Sequence, residues 1–347
     1  GPVVIPKVYN GRNRTFIFAA WEGLRLRSNV TRNVGVPTEA LRRGDFSEAT
    51  DNAGRRLTIY DPWSVGNAPE YTKTPYPANQ IPIGRLSPFA KYLYSVTPLP
   101  NLPGANPFRG SNWFGPGFTN QNSGTLTLRG DHRVSDRDQL SLRYSRSPYF
   151  QEQTAAQGTS PTTLDKRANG SVWESANHNG VGTLVHTFSP SFFSETRVAV
   201  STQDWLLTPI AGLVDVASEL GLPNPFAGSG FPTISGTGLG MDYFGGTNLT
   251  QNFSKIITAE QNFTKVKGKH NLTFGGLFRK EMLDTLPDQG GIAGEIDFAS
   301  AATSALDRGT GSQALAVPQS GSAAANLFLG VAGSYQARFR RSWYDIS

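Results

Sequence analysis

The chain has no cysteine among its 347 residues. That excludes a small disulfide-stapled scaffold and thiolate metal sites. It fits an oxidising compartment, and it fits a cysteine-free cytosolic chain equally well. A run of about 18 consecutive apolar residues, the mark of a transmembrane helix, is also missing, which excludes a helical inner-membrane protein. A membrane β-strand produces no such run, because only alternate residues face lipid. Charged residues are 17% of the chain and apolar residues 37%, against about 25% and about 45–50% in soluble globules. The net charge is +6, but Arg is spread over the whole length. No basic cluster with interleaved aromatics marks a nucleic-acid surface, so nucleic acid is not an expected partner. An Arg-rich barrel interior and contacts to anionic lipid headgroups account for the excess.

Glycine (38), proline (23), Phe (21), Tyr (11) and Trp (6) are plentiful. A chain short of charge and aliphatics but rich in Gly and aromatics does not pack ordinary helices. A soluble β-sandwich and a membrane barrel both meet that description.

The connections alternate in length. Val134-Ser-Asp-Arg-Asp138, Phe188-Ser-Pro-Ser-Phe192 and Val266-Lys-Gly-Lys-His270 are tight turns between runs of alternating polarity. The links at roughly 28–122, 149–176, 206–252 and 284–333 are long and rich in Gly, Pro, Asn and Ser. Strands are expected at about 13–27, 123–134, 138–148, 177–188, 192–205, 253–266 and 270–283, with an eighth from near Gly333 through Tyr335, Ala337 and Phe339. At roughly 10–15 residues these exceed the usual globular strand of about 5–6 and suit a tilted membrane strand of about 9–11. On 123–148, Leu126, Leu128, Leu140, Leu142 and Tyr144 oppose Arg129, Asp131, Arg133 and Arg143. Such charges are costly in lipid and suit a wet lumen. The expected fold is an all-β antiparallel transmembrane barrel of about eight long strands, open or incomplete. Its short turns lie at one end and its long loops at the other.

Aromatics gather near strand ends: Phe188, Phe192 and Phe193 at a short turn, and Tyr144, Tyr149, Trp173 and Trp205 toward the long links. Interfacial girdles produce this pattern, and so does the general aromatic richness of β proteins. The first long link is not low-complexity. Residues 37–42 suit a helical turn, and 87–95 a short helix with Ser87 as N-cap and Pro88 at its first position. A loop this long is expected to fold as a cap over the barrel mouth.

Catalytic signals are few. His132, His178, His186 and His270 show no metal-ligand spacing. Gly236-Thr-Gly-Leu-Gly240 has no following helix or Lys to make a phosphate cradle. No catalytic, cofactor or metal residue is expected, and no enzyme activity.

Certain phrases carry a family resemblance. Gly1-Pro-Val-Val-Ile-Pro-Lys7, Asn13-Arg-Thr-Phe-Ile-Phe18 and Trp21-Glu-Gly-Leu-Arg25 resemble the plug-to-barrel junction of Oar-like TonB-dependent outer-membrane receptors, with Trp21 where Tyr is usual. The likeness continues through Val36-Pro-Thr38, Gly44-Asp-Phe-Ser47, Ile59-Tyr-Asp-Pro62, Asn79-Gln-Ile-Pro82 and Arg85-Leu-Ser-Pro88. It reaches His186-Thr-Phe-Ser-Pro190, Gly268-Lys-His-Asn-Leu-Thr-Phe-Gly-Gly276 and Ala325-Asn-Leu-Phe-Leu-Gly330. The resemblance implies that residues 1–347 are part of a TonB-dependent receptor barrel in the bacterial outer membrane. Residues 1–12 would be the plug–barrel junction, and 28–122 and 206–252 the long extracellular loops. The turns at 135–138, 189–191 and 267–269 would face the periplasm. The plug and its energy-coupling segment, which would engage the TonB complex, would lie N-terminal to Gly1. Implied partners are outer-membrane lipid or lipopolysaccharide, the TonB complex and an unknown ligand.

Three functions compete. The first is uptake, or export, of a large or scarce ligand such as a glycan, peptide or chelate. The loop aromatics Trp63, Tyr71, Trp113, Phe114, Trp205, Tyr243 and Phe244 are its candidate contacts. Those same aromatics could instead simply pack the loops together. The second is surface adhesion without active transport. The third is a soluble glycan-degrading β protein, which needs paired carboxylates in a cleft; the acidic residues here are scattered.

Overall fold

A computed structural model describes residues 1–51, 53–67, 71–102, 108, 111–153, 170–210, 214–224, 230–236, 238–241, 245, 249–286, 294–306 and 317–337, the side chains of 30 and 32 excepted. A short hairpin, β1 (Val4–Ile5) and β2 (Tyr9–Asn10), leads into β3 (Thr15–Val34). Then come β4 (Trp113–Arg133), β5 (Asp138–Gln153), β6 (Ser171–Ser189), β7 (Phe192–Pro209), β8 (Thr233–Ser235), β9 (Thr250–Lys267) and β10 (His270–Leu286). The short strands β11 (Glu295–Asp297) and β12 (Ser334–Gln336) complete the described β structure.

The seven long strands form one antiparallel sheet in the order β10-β9-β7-β6-β5-β4-β3. Among the described residues β3 and β10 do not pair, so the sheet is open. The tight connections fall at the expected turns. At the last of them Gly268 takes φ +61°, a left-handed backbone that glycine adopts without Cβ strain. The start of the chain pairs with the outer edge of β3, where the Gly1 amine donates to the Ile17 carbonyl (2.7 Å) and Val3 N to the Thr15 carbonyl (2.9 Å).

The strands run 16–21 residues, longer than expected, and nearly all the extra length is at the long-link end. β3 continues to Val34, β4 starts at Trp113, β7 ends at Pro209 and β9 starts at Thr250. The links expected at 28–122 and 206–252 therefore shrink to 35–112 and 210–249. Composition concealed this: 113–122 reads Trp-Phe-Gly-Pro-Gly-Phe-Thr-Asn-Gln-Asn, which lacks polarity alternation, yet it pairs residue for residue with β3. The expected eighth strand is present only as β12, in a separate small sheet with β11 and β8; its continuation past 337 lies outside the described residues.

This wall has almost no core of its own. Among its described side chains only Val34 is a buried hydrophobic. The buried core lies in the long links. There, α1 (Glu39–Arg42), α2 (Pro88–Val96), α3 (Val216–Glu219), α4 (Ala323–Leu329) and the three-stranded sheet pack around Phe46, Phe89, Ile59, Leu93, Phe298 and Phe328. The expected Ser87 cap forms, Ser87 Oγ accepting from Ala90 N (3.1 Å), and at α1 the Thr38 hydroxyl accepts from Leu41 N (3.3 Å), each satisfying an amide of the first turn. Arg42 donates to the carbonyls of Tyr94 (2.6 Å), Thr97 (3.0 Å) and Pro98 (2.6 Å). Lys73, buried, donates to Ala302 O (2.7 Å) and Ser304 O (3.1 Å), tying the first link to a segment more than 200 residues on. Asn326, fully buried, accepts from Thr303 N (3.1 Å) and donates to Ala299 O. Three sequence-distant segments thus share one folded cap.

Candidate functional site

The register sorts the wall's side chains into two faces. One carries Ile17, Leu128, Leu142, Leu184, Val198, Val200, Phe274 and Phe278, all exposed. A contiguous exposed apolar band of this size needs a nonaqueous neighbour. Its polar members are satisfied within the face: Thr196 Oγ1 donates to Gln261 Oε1 (2.5 Å), and Tyr144 and His178 Nδ1 share a hydrogen bond (2.7 Å). At the short-turn edge Phe188, Phe192, Phe263 and Phe274 form a ladder with centroids 4.6, 6.2 and 5.4 Å apart, with Lys265 Nζ 5.3 Å above Phe192. This is an interfacial aromatic belt. Toward the long links the same face turns charged, with Arg25, Arg146, Glu174, Asp204 and Lys255.

The opposite face has two tiers. Near the short turns it is ionic. Arg129 pairs with Asp131 (2.9 Å), Arg197 with Glu195 (2.7 Å) and Glu260 (3.8 Å), and Arg279 with Glu281. A hollow of about 820 Å³ is lined here by Arg14, Arg129, Asp131, Arg133, Arg143 and Arg197. Arg143 lies directly across from Arg129. Each such charge would cost about 2–4 kcal/mol at a bilayer midplane, so this face is the lumen and the apolar band is the lipid face.

Toward the long links the lumen side becomes neutral. Ser147, Tyr149, Gln151, Ser171, Trp173, Ser175, Asn177, Gln203, Trp205, Thr250, Asn252 and Ser254 occupy it on β5, β6, β7 and β9. No charged residue shares the lumen side of that part of those strands. Tyr149 meets Trp173 edge-on (5.4 Å, 63°), and Trp173 meets Trp205 (5.8 Å, 51°). Trp205 lies directly across from Asn252. Trp173 Nε1 and Asn252 Oδ1 are buried and find no protein partner among the described residues.

The sequence-predicted contacts do not converge. Trp63 and Tyr71 lie exposed on the cap, Trp63 beneath the Arg85 guanidinium (4.6 Å). Trp113 and Phe114 are strand residues rather than loop residues. The Trp113 ring lies against Gly115, where a Cβ would come within 1.8 Å of it. Phe114 exchanges both backbone hydrogen bonds with the Asn101 side chain (2.7 Å each). Trp205, also on a strand, joins a cluster with Trp173 and Tyr149. Tyr243 and Phe244 lie outside the described residues. Tyr149, Trp173 and Trp205 are not a girdle, since they face the lumen. Strand parity was the available signal, and it becomes usable only once the register is fixed. Three of the four histidines are committed locally, His132 to Thr15 (2.7 Å), His178 to Tyr144 (2.7 Å) and His186 to Asp138 (2.6 Å).

No curated protein and no solved structure matches the chain. The family model described as outer membrane beta barrel domain matches residues 1–346. With that match spanning almost every residue of a sheet that is lipid-facing on one side and wet on the other, the chain belongs to the outer membrane beta-barrel domain family, and its place is the bacterial outer membrane.

Proposed function

We propose that this chain is wall and cap of a TonB-dependent, Oar-like transporter that moves a large or scarce ligand such as a glycan, peptide or chelate. The observation that carries the reading is the lumen side of the wall. It carries ion pairs near the short turns and neutral hydrogen-bonding groups with aromatic rings toward the long links, and it has no packed core of its own, as a passage requires and a packed sandwich does not. The short turns would face the periplasm and the cap the exterior. A plug preceding Gly1 would engage the TonB complex, and the apolar band would contact outer-membrane lipid or lipopolysaccharide. The role is non-enzymatic, as is general for such barrels.

Adhesion without transport is the second reading, favoured by the exposure of Trp63 and Tyr71 on the cap. Affinity capture of the full-length gene product from detergent-solubilised outer membranes, using the periplasmic domain of the host's TonB, separates the two. Transport predicts retention that is lost on deleting the N-terminal coupling segment. No retention above a porin control overturns the transport reading and leaves adhesion.

A further inference from the structure

The upper lumen patch combines three features. Tyr149, Trp173 and Trp205 supply ring faces and edges on adjacent strands. Trp173 Nε1, a donor, and Asn252 Oδ1, an acceptor, are buried without a protein partner among the described residues. A buried polar group left unsatisfied is destabilising, so a group that both donates and accepts is favoured beside them. The surrounding lumen residues are mostly hydroxyls and carboxamides, with no ion on the lumen side of β5, β6, β7 or β9 above Asn177.

These features select among ligand classes. An anionic chelate finds no cation on the lumen side of β5, β6, β7 or β9 at this level. An extended peptide that binds by strand addition needs a free edge, and β5, β6, β7 and β9 are paired on both sides. A neutral saccharide satisfies all three: its C–H faces stack on aromatic rings, and each hydroxyl both donates and accepts.

We propose that Tyr149, Trp173, Trp205 and Asn252 form a subsite for a neutral oligosaccharide, Trp173 Nε1 donating to a sugar oxygen and Asn252 Oδ1 accepting from a sugar hydroxyl. The proposal deepens the transport reading by naming its ligand class and rests on it for biological purpose. Binding itself needs neither TonB nor energy, so either claim can fail alone.

The test is calorimetric titration of the full-length gene product in detergent with maltohexaose, cellohexaose, chitohexaose, a Ser-Asn-Gly hexapeptide and inorganic phosphate. At least one hexasaccharide is expected to bind. Trp205→Ala should weaken it about 30-fold, and Trp173→Phe, which keeps a ring but removes the donor, about five- to tenfold, in line with one hydrogen bond. Trp205→Phe should retain most affinity, and unchanged heat-modifiable gel migration certifies folding of each variant. The proposal is overturned if no hexasaccharide binds, if Trp205→Ala or Trp173→Phe binds as tightly as the parent, or if only peptide or phosphate binds in a Trp205-dependent way.

Discussion

Removing the Phe328 ring should melt the cap and leave the wall standing. Phe328 is fully buried on α4 and meets Phe46 edge-on at 5.8 Å and 88°; Phe46 in turn packs against Phe108 at 6.3 Å. Phe328→Ala leaves a ring-sized cavity, which costs about 3–5 kcal/mol in a packed core. The lost edge-to-face pairing adds about 0.5–1.5 kcal/mol. A loss near 4 kcal/mol raises the open fraction of the cap by about a thousandfold. The wall shares none of this core, because its hydrogen-bond ladder and lipid face hold it independently. Hydrogen exchange and limited proteolysis of the full-length gene product in detergent should show the segments around α1, α2 and α4 deprotected. Amides of β5, β6 and β7 should stay protected, and heat-modifiable migration should persist. Loss of strand protection together with the cap would refute the separation of wall and cap into two cooperative units.

Leu142→Arg, on the lipid face, should destabilise bilayer-refolded protein by about 2–4 kcal/mol, whereas Ser141→Arg, one residue away on the lumen face across from Asp131, should be near neutral; equal effects in denaturant titrations would reverse the face assignment. The cap should also respond to alkali with a definite sign. Burial, then the nearby Asp61 carboxylate, pushes Tyr76 up to about 12, and burial also raises Tyr94. Their stabilisation is complete below pH 10, the ordinary tyrosine value, and is lost as pH rises through about 12. Burial lowers the Lys73 ammonium, so its contribution runs the other way, improving as pH climbs toward 10.5. Cap stability, read from exchange rates corrected for their intrinsic pH dependence, should therefore hold or rise slightly from about pH 8 to 10 and fall above it, and Tyr76→Phe should blunt that fall.

The sequence disclosed the wall wherever one strand face meets lipid and the other water. Leu140, Leu142 and Tyr144 against Ser141, Arg143 and Ser145 is legible because the two environments differ. Above the bilayer both faces are wet, alternation disappears, and 113–122 passes for loop although it is strand. The helix start at Ser87-Pro88 was legible because capping is local chemistry. The cap core was not, because Lys73 with Ala302, or Phe46 with Phe328, joins positions that only the fold brings together. The candidate site suffered the same way. Trp205 was visible as an aromatic, but its companions Tyr149 and Trp173 are set by the registers of β5, β6 and β7.

Those registers also fix the depth of the aromatic cluster. Trp205 follows Asp204, and Trp173 precedes Glu174; the two carboxylates point to the outward face. Neither would be stable in hydrocarbon, so the bilayer must end below them. On β7 the last outward apolar residue before Asp204 is Val200, with Thr202 between, and Trp205 stands five positions further along than Val200. At about 3.3 Å per residue that is about 16 Å along the strand. The cluster therefore occupies wall that has left the membrane, which is why it is not part of a lipid-interface belt and why its residues can be spent on a lumen that water reaches. The ionic tier, by contrast, lies at the depth of the outward band, since Arg197 immediately precedes Val198. A solute descending from the cap would meet ring faces and neutral hydrogen-bonding groups before it met fixed charge. The order suits a lining that recognises an uncharged ligand above the bilayer and keeps its ion pairs for the stretch of wall where a wet, structured lumen must be held open against lipid outside.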